Sequence, residues 1–190
     1  WESLVDEVYG ESDKDKFYPK VYWKIDGKEY CFEKKKEKYN SLRPDTIMIT
    51  NRGSDEQKIF VLDSKYYRYG DTKNPNHLPG SDSIVKQIAY ATYIDKKSTK
   101  LPKDVASKTQ SNKIFNAFIM PAKDEKKENQ CPENIGFASS DFVKLMNSDI
   151  TDKPYYKIHG ILLDVRTLMH NHRRHNDESI KILAKAIESL

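Results

Sequence analysis

The sequence predicts an α/β fold in which a mixed β-sheet is flanked by helices. Three observations predict it. Residues 58–66, KIFVLDSKY, begin with a run too apolar for a surface strand and of the length of a central one. Residues 81–97 carry a helical apolar stripe at Ile84, Ile88, Ala91 and Ile94, with Val85 and Tyr90 flanking it. Residues 177–190 repeat that period at Ile180, Leu183, Ala184 and Ile187. Strands alternating with amphipathic helices bury both apolar surfaces by stacking in layers, as an α/β or α+β sandwich.

The elements follow in order. Trp1, Leu4, Val5 and Val8 share one face of a helix over residues 1–9, with Glu2 and Asp6 one turn apart on a neighbouring face. Residues 20–33 read as a hairpin, because Val21, Trp23 and Ile25 alternate, Asp26-Gly27 suits a type I′ turn, and Tyr30 and Phe32 alternate on the return. Lys34, Lys35, Lys36 and Lys38 then form a basic run, read as a solvated face or as a ridge contacting phosphates. Residues 43–49, RPDTIMI, are a strand joined to 58–66 by a polar seven-residue connection, and residues 70–80 are a loop rich in Gly, Pro and Asn. The helix at 81–97 is expected to be capped by Ser81 or Asp82. Residues 98–112 read as a loop and 114–120 as a strand ended by Pro121. Residues 122–133 read as a surface excursion and 155–165 as a last strand. A closing helix follows, capped by Asn176 or Asp177. No repeat and no domain boundary interrupts residues 1–190, so one domain is expected, with a longer parent protein left open because the chain starts at Trp1.

Composition narrows the class. With 12 Tyr, 7 Phe and 2 Trp in 190 residues the chain is not disordered. No apolar run reaches the ~18 residues of a membrane span. Cys31 and Cys131 are far apart and belong to no CxxC pair, which predicts neither a disulfide framework nor a zinc site and fits the cytoplasm. The net charge of +4 permits nucleic-acid binding, and a merely lysine-rich protein explains it equally well.

The chemistry concentrates on two strands. Asp45 follows Pro44 at the start of one, and Asp63 and Lys65 lie two apart on the next, hence on one face. An acid and a lysine at the polar end of so apolar a strand need a reason, and phosphodiester hydrolysis supplies one. Two carboxylates hold a hard divalent cation such as Mg²⁺, with Mn²⁺ as the alternative. The cation stabilises charge growing on the phosphate oxygens and acidifies a water. A lysine beside it orients or deprotonates that water, and shielding from bulk water would depress its pKa. The Ser64 carbonyl is a further candidate ligand, and a carboxylate arriving from a helix, Glu2 or its competitor Glu7, would complete the site. The plain alternatives are a strand-edge Asp45 and a salt-bridged sheet end for Asp63 and Lys65. A second cluster, His170-Asn171-His172 with Arg173, Arg174 and His175, lacks metal-ligand spacing and reads as a basic turn.

Pro44-Asp45 and Asp63-Ser64-Lys65 resemble the motif of the PD-(D/E)xK nucleases, with the helix bearing Glu2 before them and the amphipathic helix after. More narrowly, LRPD, FVLDSKYYRYG and LPGSDSIVKQIAYATY are similar to the catalytic region of LlaJI-type restriction endonucleases. In that comparison Tyr66-Tyr67 and Lys86-Gln87 are distinctive. The resemblance implies a restriction-endonuclease-like fold over residues 1–190 and Mg²⁺-dependent cleavage of double-stranded DNA. It implies that Asp45, Asp63 and Ser64 hold metal and that Lys65, Glu2 and Gln87 assist. It also implies a homodimer, or a partner subunit or domain that supplies recognition. Recombination exonucleases pair the helix Gln with a Tyr four residues on, whereas here position 91 is Ala and Tyr90 is three on. A transposon-end or branched-DNA nuclease, or a silent binding or assembly module on the same fold, are the other readings.

Overall fold

The structure, a computed structural model, describes residues 1–19, 21–31, 42–96, 100–123, 132–141, 143, 153–170 and 177–189. Helix α1 (Glu2–Tyr9) leads to a hairpin of β1 (Tyr22–Ile25) and β2 (Lys28–Cys31). Strands β3 (Thr46–Thr50) and β4 (Lys58–Ser64) follow, then the short helix α2 (Tyr69–Thr72), the long α3 (Ser81–Lys96) and the short α4 (Lys103–Ala106). Strands β5 (Ile114–Ala122), β6 (Glu133–Ala138) and β7 (Ile158–Asp164) precede helices α5 (Val165–His170) and α6 (Asp177–Glu188). In the first hairpin Asp26 (φ 50°) and Gly27 (φ 77°) both take the left-handed conformation that a type I′ turn demands.

Strands β3 to β7 form one five-stranded sheet in the order β3-β4-β5-β7-β6. The two central pairings, β4 with β5 and β5 with β7, are parallel, while β3 and β6 add antiparallel edges. The chain therefore has the mixed sheet flanked by helices that its pattern predicts. Alternation along β4 assigns its two faces. Phe60 and Leu62 pack with Val5 and Val8 of α1, Leu168 of α5 and Leu183 and Ile187 of α6. Ile59 and Val61 pack with Tyr90, Ala91 and Ile94 of α3 and with Leu101, Val105 and Tyr155. Burial of each large side chain in these layers contributes roughly 1.5–3 kcal/mol.

Several short elements depart from the pattern. The loop expected at 70–80 contains α2 and a 3₁₀ turn, Pro75–His77, and the loop at 98–112 contains α4. One turn of helix carries no periodicity to read. Strand β6 lies where no strand was expected. It is an edge strand with an irregular register between Asn134 and Phe137 and with Gly136 at φ 117°, so its alternation is broken. Gly80, whose carbonyl accepts the Ile84 N–H at 3.2 Å, takes the cap place expected of Ser81 or Asp82. Val85 is exposed rather than flanking the core, and Gln87 is fully buried in the middle of the α3 stripe. The basic run at 34–38, Cys131 and residues 171–176 of the His/Arg cluster lie outside the described residues.

Strand β5 does not end at Pro121 but runs through it to Ala122. The reason is positional. The Ile119 carbonyl accepts the Lys65 N–H at 3.2 Å, so Ile119 bonds toward β4. Pro121, two residues on, faces the same side past the end of β4, where no ladder partner waits for the N–H it lacks. Its carbonyl instead lies against Gly70 of α2, where a Cβ would approach to 2.1 Å. Helix α2 is thus seated directly on β5.

On the α3 face, Asp95 fastens the end of the helix. Its carboxylate accepts bonds from the Lys153 ammonium (2.6 Å), the Tyr155 hydroxyl (2.9 Å) and the Ser111 hydroxyl. Burial alone would raise the pKa of Asp95, but those donors outweigh it and hold the carboxyl below its ordinary range. Its stabilisation is therefore complete above about pH 4 and is lost as pH falls through the lowered value. Asp95→Ala leaves the Lys153 ammonium, which is 14% exposed, without its partner. We expect a loss of roughly 3–5 kcal/mol, read as a fall in Tm of about 10 °C at pH 7. A fall of under about 2 °C would show that the pairing is not structural.

Candidate active site

The carboxyl ends of β4 and β5 carry the site, together with the start of antiparallel β3. Asp45 precedes β3 by one residue and its carboxylate continues what the strand has stopped doing. In the β3–β4 register Thr46 faces Leu62, so the next place along β4 is that of Ser64. No β3 residue bonds there. The Asp45 Oδ2 accepts the Ser64 N–H instead, at 2.9 Å. The Lys14 ammonium donates to the Asp45 carbonyl at 2.7 Å and also pairs with Asp6, which ties β3's entry to α1.

Lys65 gathers the acids. Its Nζ lies 3.1 Å from Asp63 Oδ1 and 3.3 Å from Asp45 Oδ2, so one ammonium spans both carboxylates. Glu2 Oε1 stands 3.8 Å from the same nitrogen, on a side chain still 57% exposed. Glu2, not Glu7, is thus the helix carboxylate brought to the lysine, and it arrives on the ammonium rather than on the acids. Among the described residues no three His, Cys, Asp or Glu side chains group as a cage for an ion.

The electrostatics are those of crowded acids. Asp63 is 7% exposed. Burial, then repulsion from Asp45, pushes its carboxyl up to about 7 against the pull of Lys65. Burial would lower the Lys65 pKa, yet the charges of Asp63 and Asp45 win and raise it. Two adjacent carboxylates stabilise the ammonium here by more than partial burial penalises it.

Ser64 is fully buried. Its side chain points to the α1 face with Leu62, and its hydroxyl has no partner among the described residues. Because its N–H points toward Asp45, its carbonyl, on the same edge of an extended residue, also faces that side. Gln87 comes down onto the sheet beside this group. Its amide donates to the Ala117 carbonyl at 3.3 Å, its Oε1 is unpartnered, and it bonds neither acid among the described residues. Lys86, distinctive in the family resemblance, lies on the exposed side of α3, away from the buried Gln87, and pairs with Asp82 at 3.6 Å. Tyr66 is 77% exposed, and Tyr67 reaches Ser83 at 3.5 Å.

Two contributors were not singled out from sequence. Lys14 sits in a Lys- and Asp-rich stretch that reads as ordinary surface. Tyr90 belongs to the buried α3 stripe, and burial with the charges of Asp63 and Asp45 raises its phenol to about 12. Its place on the helical face of Gln87 was the available signal.

With this geometry in view, the family comparison decides the identity. Residues 1–151 match the LlaJI restriction endonuclease family. The chain belongs to that family. It is therefore a restriction-type nuclease, and DNA binding follows from the membership. The matched span contains Glu2, Asp45, Asp63, Ser64, Lys65 and Gln87. No curated protein and no solved structure gives a match. Among the described residues no helix is long and apolar enough to cross a membrane.

The crowding of the acids has a measurable signature in the metal-free protein. The Asp63 carboxyl should titrate near pH 7, so between about pH 4 and pH 7 the folded chain keeps a proton that the unfolded chain has released. Stability should decline as pH rises through that window. Asp45→Asn removes the repulsion but not the burial, so Asp63 should then titrate lower while staying above the ordinary aspartate range. Carboxyl ¹³C NMR across pH 3–9 reads both proteins. Titration of Asp63 near 4 in the unmodified chain would contradict the arrangement.

Proposed function

We propose that this LlaJI-family chain is a metal-dependent endonuclease of the PD-(D/E)xK type that hydrolyses phosphodiester bonds of double-stranded DNA in a restriction system. The observation that carries the reading is the meeting of Asp45 and Asp63 on the Lys65 ammonium at the carboxyl end of β4. The donor set fits a hard divalent cation: two carboxylates and a backbone carbonyl, all oxygen, with excess negative charge at the Asp45–Asp63–Glu2 cluster over the one lysine. Asp45, Asp63 and the Ser64 carbonyl would hold Mg²⁺, or Mn²⁺ in its place. Such an ion supplies Lewis-acid stabilisation of the charge growing on the phosphate and makes a water more nucleophilic.

The chain's own residues do the rest. Asp45 is fixed by the Ser64 N–H and cannot swing away without opening the sheet edge. Lys65 is a cation in this environment, so it neutralises the phosphate and orients the attacking water by donation. Glu2 holds the lysine from the open side. Gln87 acts from beneath, steadying β5 at Ala117 next to the strand that bears Asp63. The raised Asp63 carboxyl, crowded by burial and by Asp45, supports a working site over a silent binding module. A homodimer or a partner carrying sequence recognition, acting in the cytoplasm, completes the reading by family likeness.

Two variants test it. Asp63→Ala should abolish nicking of plasmid DNA in Mg²⁺, by at least about a hundredfold, while DNA binding in Ca²⁺ is kept or strengthened by the loss of a repelling charge. Lys65→Ala should lose cleavage to the same degree but retain metal affinity by calorimetry. If Lys65 were only a salt-bridge partner, its loss would cost roughly 0–1 kcal/mol of stability and leave cleavage intact. Full nicking by either variant would end the assignment.

A further inference from the structure

Two surfaces adjoin the acids. One is a cleft of about 540 Å³ beside α1, whose described lining carries Glu2, Asp6, Glu7 and Asp45 with Lys14 and Arg43. The other is the segment between β4 and α3. From Lys65 to Lys86 it carries Lys65, Arg68, Lys73 and Lys86 against Asp71 and Asp82. A polyanion is favoured there.

That segment is also held rigid. The Gly70 backbone rests on the Pro121 carbonyl so closely that no side chain fits between them. The Thr72 hydroxyl donates to the Arg68 carbonyl at 2.9 Å and meets His77 Nδ1 at 2.7 Å. Lys73 lies 5.8 Å from the Tyr69 ring centre. Its neighbours are thus engaged, yet Tyr66 projects with 77% of its surface exposed. Arg68 is exposed as well, and its guanidinium has no ion pair among the described residues. At the far end of the sheet Arg52, Lys58, Lys108, Lys113 and Lys153 each pair with a carboxylate, while Lys103 stands exposed far from the acids. Among the described residues the Arg68 guanidinium has no ion pair and Tyr66 is uncovered, and both stand within three residues of Lys65.

The geometry points to residues 66–68 as the DNA-gripping element of the site. Arg68 binds a backbone phosphate beside the scissile one, and the Tyr66 ring lies against the sugar and base edge of the strand being cut. DNA reaches the acids over this segment. Arginine suits the phosphate contact because its fork donates two bonds to the anion. An aromatic ring suits the sugar and base edge because it is broad, stiff and tolerant of sequence. Both are positioning residues, and the assignment rests on the nuclease reading above.

The test uses the full chain, a fluorescein-labelled 40-bp duplex of mixed sequence in Ca²⁺, and plasmid cleavage in Mg²⁺. Arg68→Ala should weaken duplex binding by about tenfold near 0.1 M salt and flatten the log K against log salt slope by about one. Arg68→Lys should restore the slope. Tyr66→Ala should weaken binding by about tenfold with the slope unchanged, and Tyr66→Phe should bind as the unmodified chain does. Both losses should appear in KM, with kcat held within about twofold. Lys103→Ala removes an exposed charge at the opposite end of the sheet and should leave the slope in place. Where Arg68→Ala melts early, Arg68→Gln takes its place, since it keeps the side-chain stem. Equal affinity and slope for Arg68→Ala and Lys103→Ala, in a chain that binds and cleaves, would overturn this assignment alone. An unmodified chain that neither binds the duplex nor nicks plasmid would overturn the nuclease reading and this assignment with it.

Discussion

The Asp45 carboxylate does the work of a strand residue, and much of the site follows from that substitution. A backbone acceptor would have carried β3 one step further along β4. The side chain accepts the Ser64 N–H in its place, at 2.9 Å, so the ladder ends without leaving that donor unsatisfied. Ending β3 there opens the sheet edge at the height of Ser64 and Lys65. The acid is held by a bond that the sheet itself requires, not by a side-chain contact alone. Asp63 and Lys65 then need only the ordinary alternation of β4 to stand beside it. Lys14 secures the same residue through its carbonyl, so both ends of the Asp45 unit are tied. Precise placement of a charged group is achieved most cheaply when the scaffold's own hydrogen bonds impose it.

The lysine resolves the conflict that this placement creates. Two carboxylates in a site where Asp63 is 7% exposed repel each other, and without Lys65 one would stay protonated far above its usual range. With the ammonium 3.1 and 3.3 Å from them the cluster is tolerable but still strained toward protonation. The strain is the physical opposite of the Asp95 cluster, where three donors converge on one buried acid and lower its pKa. Both are acids at helix- or strand-ends in the same domain. One is fully satisfied and serves as a fastener. The other is under-compensated and so has affinity left over for positive charge. Donor count relative to acid count, more than burial, separates a structural carboxylate from a candidate site here.

This contrast also explains what could be read from the residues. Strand β4 and helices α3 and α6 were legible because each is long enough for its period to repeat. The acids and the lysine were legible because a charged Asp-x-Lys at the end of IFVL is a local contradiction that demands a partner. Asp95 was not legible. Its donors come from residues 111, 153 and 155, and nothing local marks an aspartate late in a helix as buried. The burial of Gln87 was not legible either, because it depends on the Ala117 carbonyl, which gives its amide a partner under the helix. The run through Pro121 was hidden for a similar reason. Whether a proline ends a strand depends on whether the neighbouring strand is still present, and that is a property of the sheet rather than of the residue.

The family match stops at residue 151, but the sheet does not. Strand β6 lies within the matched span and pairs with β7, which lies beyond it. Strand β5 likewise has β4 on one side and β7 on the other. The matched part alone would leave β5 with an open edge and β6 without its neighbour. It would also leave the face carrying Phe60 and Leu62 without Leu183 and Ile187 of α6. An open edge at so apolar a strand is an aggregation hazard, and β7 and α6 cover it and the face beside it. What distinguishes the two parts is their task. The span shared with the family brings the acids, the lysine and α3 to the carboxyl end of β4. The rest closes the sheet and the core behind them and supplies Lys153 and Tyr155 to the Asp95 fastener. A boundary of similarity at residue 151 therefore cuts through one sheet and one core, which the residues on both sides build together.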